Sequence, residues 1–402
     1  MSASNVPNIG ASRKAKLPRR DWILLPLLSV LTIFTLAISM QWMGRILFRS
    51  DNPVGDCIVS DPLTGRHGVP NRACWKKESE SPSVEYSFNS CGHRAGMECG
   101  PKAPDTYRIV LTGSSYPFGW TVPREETFAA LLPLELSRRT GRKIELYNEG
   151  IIGDGGIPRN VGKRFNEVLE AQPDAILWVL DPWDIDKADR NGPPLAWQDI
   201  GAAEMVRQVL AGKSPLEAVP TLLGLIRDKW VVSKAGMLIQ HYIFLSQSEY
   251  VKLYLARGTQ SGFLDAEPDS DWRRRLELFN SYSADFEGQA NAAGVPVIVT
   301  LVPNRAQAAM ISMGHWPPGY DPYKLGEEVR AIVAAHGGIY IDILPDFRTV
   351  PNPEQYYYPI DNHPDASGHA IIADMLAREL TSGLVPALKA ANQSRAALEK
   401  GR

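Results

Sequence analysis

Between Trp22 and Gly44 the chain reads WILLPLLSVLTIFTLAISMQWMG, 23 residues without a charged side chain. At about 1.5 Å of rise per residue, a helix of that length covers the roughly 30 Å of a bilayer's hydrocarbon core. Backbone polar groups in hydrocarbon must bond within their own segment, so the run predicts one transmembrane helix. Trp22 and Trp42 stand near its ends, where indole rings favour the headgroup layer. Arg13, Lys14, Lys16, Arg19 and Arg20 precede it, whereas only Arg45 and Arg49 follow closely. That bias keeps the N-terminus cytoplasmic and exports everything after the span, into the periplasm if the cell is Gram-negative. Ala37-Ile38-Ser39 also resembles a signal-peptide cleavage site, but the apolar run continues past it, which favours an uncleaved anchor.

Charge follows the same division. The formal net charge is −2, yet residues 1–50 hold seven basic side chains and one acidic one. The remainder therefore carries 36 basic against 44 acidic residues, a net −8. An acidic body excludes a nucleic-acid-coating role and disfavours strongly anionic ligands. With 44% hydrophobic and 22% charged residues it can bury a full core.

All four cysteines, Cys57, Cys74, Cys91 and Cys99, lie shortly after the span. An even count in an exported segment reads as a disulfide framework with three possible connectivities. Short loops favour Cys57–Cys74 and Cys91–Cys99. Their spacing fits no common zinc finger, so no metal or other cofactor is expected there. Residues 45–104, rich in Pro, Gly and Ser, read as a stapled stem.

Beyond the stem, apolar runs alternate with amphipathic stretches. Strands are expected at Tyr107–Thr112, Lys143–Tyr147, Ala175–Leu180, Val295–Val302 and Ile339–Ile343. Helices are expected at Glu125–Arg139, Arg159–Ala171, Ala284–Ala293, Glu327–His336 and Ser367–Leu380. Such alternation predicts an α/β fold, a parallel sheet covered on both faces. Residues 186–275 interrupt it with helix-like pieces and the aromatics Trp230, Tyr242, Phe244, Tyr250 and Tyr254, a helical insertion read as a lid or a surface for partner proteins. The expected organisation is a cytoplasmic tail (1–21), an anchor (22–44), the stem (45–104), a domain over 105–385 and a tail over 386–402.

Ligands of open parallel sheets bind beyond the carboxyl ends of the strands. There the chain places Gly113-Ser114-Ser115-Tyr116, Asn148-Glu-Gly-Ile-Ile-Gly153-Asp-Gly-Gly156, Leu180-Asp-Pro-Trp-Asp184 and Asp361-Asn362-His363-Pro364 with Gly368-His369. In this order the motifs resemble the blocks of the SGNH/GDSL hydrolase family, over roughly residues 85–385 and starting at Asn89-Ser-Cys-Gly-His-Arg94. The resemblance implies a three-layer α/β/α, flavodoxin-like domain. It also implies esterase or acyltransferase activity on acyl esters, acetyl first among them, of surface or exported glycans, as in anchored family members that act in polysaccharide acetylation. Carried over by position, Ser115 is the nucleophile, His363 its base and Asp361 the orienting acid. The N–H groups of Ser115 and Gly153 would form the oxyanion hole. Two positions depart from the pattern: Ser114 stands where the family has an aspartate, and Trp183 where it has the asparagine that completes the oxyanion hole. Losing one such donor costs about 10²–10³ in rate.

The chemistry also follows from residue types. A serine hydroxyl needs an adjacent base, and an aspartate two residues before a histidine can hold the imidazole tautomer and balance its charge. Alone, a Gly-Ser-Ser turn is usually only a turn and an Asp-x-His pair a surface hydrogen-bonding motif. Their joint order at strand ends makes the catalytic reading the stronger one. A metal site at Asp361, His363 and His369 lacks further ligands, and His369 is expected to pack beneath the site. Asp154 and Asp184 read as loop caps, and Arg273–Arg275 as a solvated helix face. A degenerate scaffold that binds glycan without catalysis is the contrasting class.

Overall fold

A computed structural model describes residues 20–50, 57–189, 233–242, 246–256 and 258–390. The expectations for most of the basic tail, for Trp230 and Phe244 and for most of the closing tail fall outside these residues, as does the side chain of Asp154. Helix α1 (Asp21–Leu47) contains the apolar run and is long and apolar enough to cross a membrane. The hydroxyls of Ser29, Thr32 and Thr35 each donate 2.8 Å bonds to the carbonyl four residues earlier, which pairs these three groups within the helix.

Two disulfides then follow, Cys57–Cys74 and Cys91–Cys99, with Cα separations of 5.6 and 5.8 Å. The segment around them is more structured than a stem. Strands β1 (Ile58–Asp61) and β2 (Gly65–Gly68) form one antiparallel ribbon, and β3 (Ala73–Lys77) and β4 (Ser83–Ser87) form another. In β4 the buried Val84 and Tyr86 alternate with exposed neighbours, a period-2 signal too short to stand out in the sequence. Cys57, Cys74, Val84, Tyr86 and Phe88 cluster with Phe118 and Ile151 of the following domain, so the ribbons are built onto it.

The domain's sheet comprises β5 (Thr106–Gly113), β6 (Lys143–Asn148), β7 (Ala175–Leu180), β8 (Val297–Leu301) and β9 (Ile339–Tyr340). It is wholly parallel in the order β6-β5-β7-β8-β9. This is the doubly wound order 2-1-3-4-5, with its switch point between β5 and β7. Every residue of β5, β7 and β8 is buried, as expected of strands covered on both faces.

Helices α2 (Ser115–Phe118) and α3 (Phe128–Thr140) follow β5. Next come α4 (Pro158–Lys163), α5 (Phe165–Glu170), α6 (Pro182–Asp186), α7 (Lys234–Tyr242), α8 (Gln247–Leu255) and α9 (Ser270–Ala292). The series closes with α10 (Arg305–Met313), α11 (Lys324–Ala335) and α12 (Ala366–Leu380). Helix α3 packs with α12, while α9 packs with α4 and α11 and sets Phe279 and Phe286 against Trp178 of β7. The three-layer α/β/α arrangement expected from the alternation is present.

Element boundaries differ for local reasons. Helix α3 starts at Phe128 because Thr127 is extended and its side chain caps the Ala130 N–H. The helix expected over Arg159–Ala171 breaks at Arg164, whose guanidinium turns inward to the carbonyls of Glu149 and Gly155. Strand β9 is two residues long because the Asp342 side chain accepts the Leu344 N–H and turns the chain. Helix α9 begins fourteen residues before the expected Ala284, capped by Asp269, and its polar first half masked the buried Trp272 and Phe279. Arg274 and Arg275 of the presumed solvated face pair with Asp189 and Asp186 at 2.5 and 2.9 Å. Of the insertion's aromatics, Tyr250 and Tyr254 are core residues and Tyr242 is exposed.

Candidate active site

Strand β5 ends at Gly113, and the chain turns directly into α2, so Ser114 and Ser115 sit at the switch point. Ser115 is the first residue of α2 and is half-buried, whereas Ser114 is buried. The Ser114 hydroxyl donates to Asp181 Oδ2 at 3.2 Å, across the gap between β5 and β7. It is thereby engaged in structure.

The loop that supplies the histidine closes on itself. The Tyr358 N–H donates to the His363 carbonyl and the Asn362 N–H to the Tyr358 carbonyl, both at 2.9 Å. Asn362 takes a left-handed φ of 65°, a conformation that asparagine tolerates better than most residues. Tyr116 of the serine turn donates to the Asn362 carbonyl at 3.2 Å, and its ring lies 5.2 Å from the imidazole. Tyr358 likewise bonds the Thr121 carbonyl at 3.3 Å. The two loops, almost 250 positions apart in sequence, are tied together by tyrosines.

The structure therefore brings Ser115, His363 and Asp361 into one line. His363 Nε2 lies 2.6 Å from Ser115 Oγ, and His363 Nδ1 lies 2.5 Å from Asp361 Oδ1. Burial disfavours the Asp361 carboxylate, but the charge of His363, hydrogen bonds from its ring and backbone and a bond from the Trp120 side chain outweigh it. Its pKa falls below the ordinary carboxylate value, so it stays ionised beside the imidazole. An anion on Nδ1 orients the ring and leaves Nε2 free to accept a proton from Oγ.

Around this line the other sequence candidates separate. Gly153 opens a 3-10 turn with φ 75°, and a Cβ there would stand 3.2 Å from the Arg66 side chain. The glycine against the serine turn is Gly156, where a Cβ would come within 2.3 Å of Ser114 Cα. Sequence reasoning did not single it out; its signal was membership of a glycine cluster. Asn148 is buried at the end of β6, where its side chain donates to the Pro117 carbonyl at 2.7 Å and accepts from the Gly150 N–H at 2.9 Å. It holds α2 in place. Trp183 follows β7 as expected, donating its backbone N–H to the capping Asp181 at 2.6 Å, so no amide side chain occupies that position. Asp184 completes a buried capping box with Asp181, the cap role expected of it.

His369 is buried one turn into α12, where its Nδ1 accepts the Phe128 N–H at 3.1 Å. Burial lowers its pKa to about 3 and keeps it neutral. Three residues that sequence reasoning passed over also touch the site. Trp120 bonds Asp361 and stacks on Tyr86. Arg305 donates to the carbonyls of Glu354 and Pro359 at 3.0 and 2.7 Å, anchoring the approach to the histidine loop. Glu80, from the β3–β4 turn, accepts the Ile360 and Asp361 N–H groups.

No protein-family model and no curated protein matches the sequence. Solved structures of similar architecture include a mutant acetyl-xylooligosaccharide esterase from Geobacillus stearothermophilus, 13% identical, with TM-score 0.38 over 71% of this chain and 96% of that one. A lipase/acylhydrolase from Enterococcus faecalis is 15% identical, with TM-score 0.34 over 68% and 95% of the two chains. An esterase from Pseudoalteromonas sp. is 12% identical, with TM-score 0.33 over 69% and 98%. The chemistry accordingly rests on this chain's own residues.

Proposed function

We propose that the protein is a membrane-anchored, extracytoplasmic serine esterase of the SGNH/GDSL type, acting on acyl esters, acetyl above all, of surface or exported glycans. The observation that carries the reading is the continuous Ser115–His363–Asp361 hydrogen-bonded line at the switch point of a doubly wound sheet. Ser115 Oγ attacks the ester carbonyl while His363 Nε2 takes its proton. The tetrahedral oxyanion is held by N–H groups, Ser115 and Gly153 being the candidates. Collapse expels the sugar alkoxide, which receives the proton from His363 and leaves an acyl-Ser115. Water, deprotonated by the same imidazole, then releases the acid and restores the serine. Asp361 stays ionised throughout.

The exported location is supported by the basic residues before α1 and by the two disulfides after it. The glycan substrate is supported by that location and by the acidic body, which suits neutral sugars better than anionic ones. Trp183 favours one further reading, transfer of the acyl group to a sugar hydroxyl instead of water. A site with one oxyanion donor fewer slows attack by either acceptor on the acyl-enzyme, and a longer-lived acyl-Ser115 gives a sugar hydroxyl bound beside it time to take the acyl group.

The test uses the full chain in detergent with p-nitrophenyl acetate and a fluorophosphonate probe. Wild type should label and turn over, Ser115→Ala should lose both by about 10³-fold or more, and Ser114→Ala should keep its label. Labelling that persists in Ser115→Ala would remove the assignment. Adding an oligosaccharide acceptor separates the two readings, because acyl-sugar product appears only with transfer.

A further inference from the structure

We propose that Glu80, in the disulfide-stapled segment, is a positioning residue for the reaction: it sets the place of Asp361 and, through it, of the His363 imidazole. The proposal rests on the serine-esterase reading above. Glu80 Oε2 accepts two consecutive backbone N–H groups, those of Ile360 and Asp361, each at 2.8 Å. Its side chain is 2% exposed, and Oε1 lies 3.5 Å from His241 Nδ1 of α7. The loop's backbone-to-backbone bonds close within it, from Tyr358 to His363 and from Asn362 to Tyr358, while Arg305 and Tyr116 hold its carbonyls at Pro359 and Asn362 on either side of the aspartate. Glu80 therefore ties the aspartate arm to a separate part of the fold.

The turn that carries Glu80 is itself braced. Lys77 Nζ donates to the Ser81 carbonyl at 2.9 Å, and Lys234 Nζ reaches Ser79 Oγ at 3.1 Å. A buried carboxylate close to a second carboxylate is an unfavourable arrangement. Burial, with the Asp361 charge added, holds the Glu80 carboxyl above its ordinary value, and the two N–H donors offset part of that cost, since bonds to an ionised acceptor are roughly twice as strong as neutral ones. Asp361 must sit within hydrogen-bond reach of Nδ1 for the ring to face Oγ, and a displacement of about 1 Å at such a point can cost roughly 10²-fold in rate. The ribbon that sequence composition marks as a stem thus contributes to the active centre.

The experiment compares wild type, Glu80→Ala, Glu80→Gln and Glu80→Asp as full chains in detergent. It reads kcat and KM for p-nitrophenyl acetate, the second-order rate of fluorophosphonate labelling and the thermal midpoint. Glu80→Ala should lower kcat and the labelling rate by about 10–100-fold with KM within about twofold. Glu80→Gln keeps an acceptor oxygen at the same reach and should recover most of both rates. Glu80→Asp, one methylene shorter, should behave like the alanine variant and decides the matter if Glu80→Ala does not fold. Unimpaired rates in Glu80→Ala or Glu80→Asp, or a Glu80→Gln as slow as Glu80→Ala, would overturn the proposal. Wild type that neither labels nor turns over removes the esterase reading and this proposal with it. A labelled wild type beside an unimpaired Glu80→Ala removes this proposal alone.

Discussion

At the scale of single residues, three of the seven histidines, His363, His93 and His369, show how burial assigns different work to one side-chain type. His363 is partly open and bonded on both nitrogens, to Ser115 and Asp361. His93 and His369 are buried, and burial first of all lowers their pKa values, to about 4 and about 3 from an ordinary 6.5. Between about pH 3 and 6.5 the unfolded chain binds protons that these folded side chains refuse. Stability contributed by their neutral state is therefore full above 6.5 and is lost as pH falls toward 3. Replacing His369 by Asn keeps an acceptor for the Phe128 N–H and removes one titrating group. Thermal unfolding from pH 4 to 7 should then show a shallower acid limb for His369→Asn than for wild type, and identical limbs would contradict the assignment of a buried neutral His369.

At the scale of elements, the turn after β5 needs support because α2 is a single turn of four residues. Arg94 supplies much of it. Its buried guanidinium donates to the carbonyls of Phe118, Gly119 and Val122 at 2.7–2.8 Å and lies against the rings of Tyr86 and Phe118. A lysine has neither the planar fork nor the reach to serve three carbonyls. Arg94→Lys should lower stability by about 2–4 kcal/mol, from carbonyls left unpaired in the interior. Chemical denaturation measures it, and a loss below about 1 kcal/mol would show that the fork is dispensable. The same loop explains what was legible at this scale. The order Ser115, Gly153, Asp361 and His363 was visible because the first two motifs follow strands and the Asp-x-His pair stands just before the last helix. Glu80, Trp120 and Gly156 were not, since a glutamate in a Ser-rich turn, a tryptophan after a glycine and one glycine among four carry no local mark of their partners.

At the scale of the whole molecule, α1 leaves Leu27, Val30, Leu31, Ile33 and Phe34 exposed along one uninterrupted helix. In the anchored reading proposed above, a bilayer covers this contiguous apolar surface. The full chain should sediment with membranes, resist alkaline carbonate and be released by detergent. Protease added to the exported side should reach the body and not the N-terminal tail. A mature chain beginning after Ser39 would replace the anchor with a signal peptide. Helix α7 also rests on the end of α1, with the Ala235 N–H donating to Gln41 Oε1 at 3.0 Å and the Phe48 and His241 rings 5.3 Å apart. The last turns of α1 are thus part of the body's packing.

Taken by itself, the amino-acid sequence determined the apolar span, the parallel α/β alternation and the cysteine framework, and it named the serine, histidine and aspartate that the structure brings into line. Each of these is a property of local composition, period or spacing along the chain, which solvent and backbone geometry translate directly into structure. Only the tertiary structure decided that the stapled segment is joined to the domain core and that Glu80 meets Asp361. It also decided that Gly156 is the glycine lying against the serine turn. Those contacts link residues up to 281 positions apart, and which buried donor meets which acceptor at such separation is settled by the packing of whole layers, where an unpaired group costs more than any local preference.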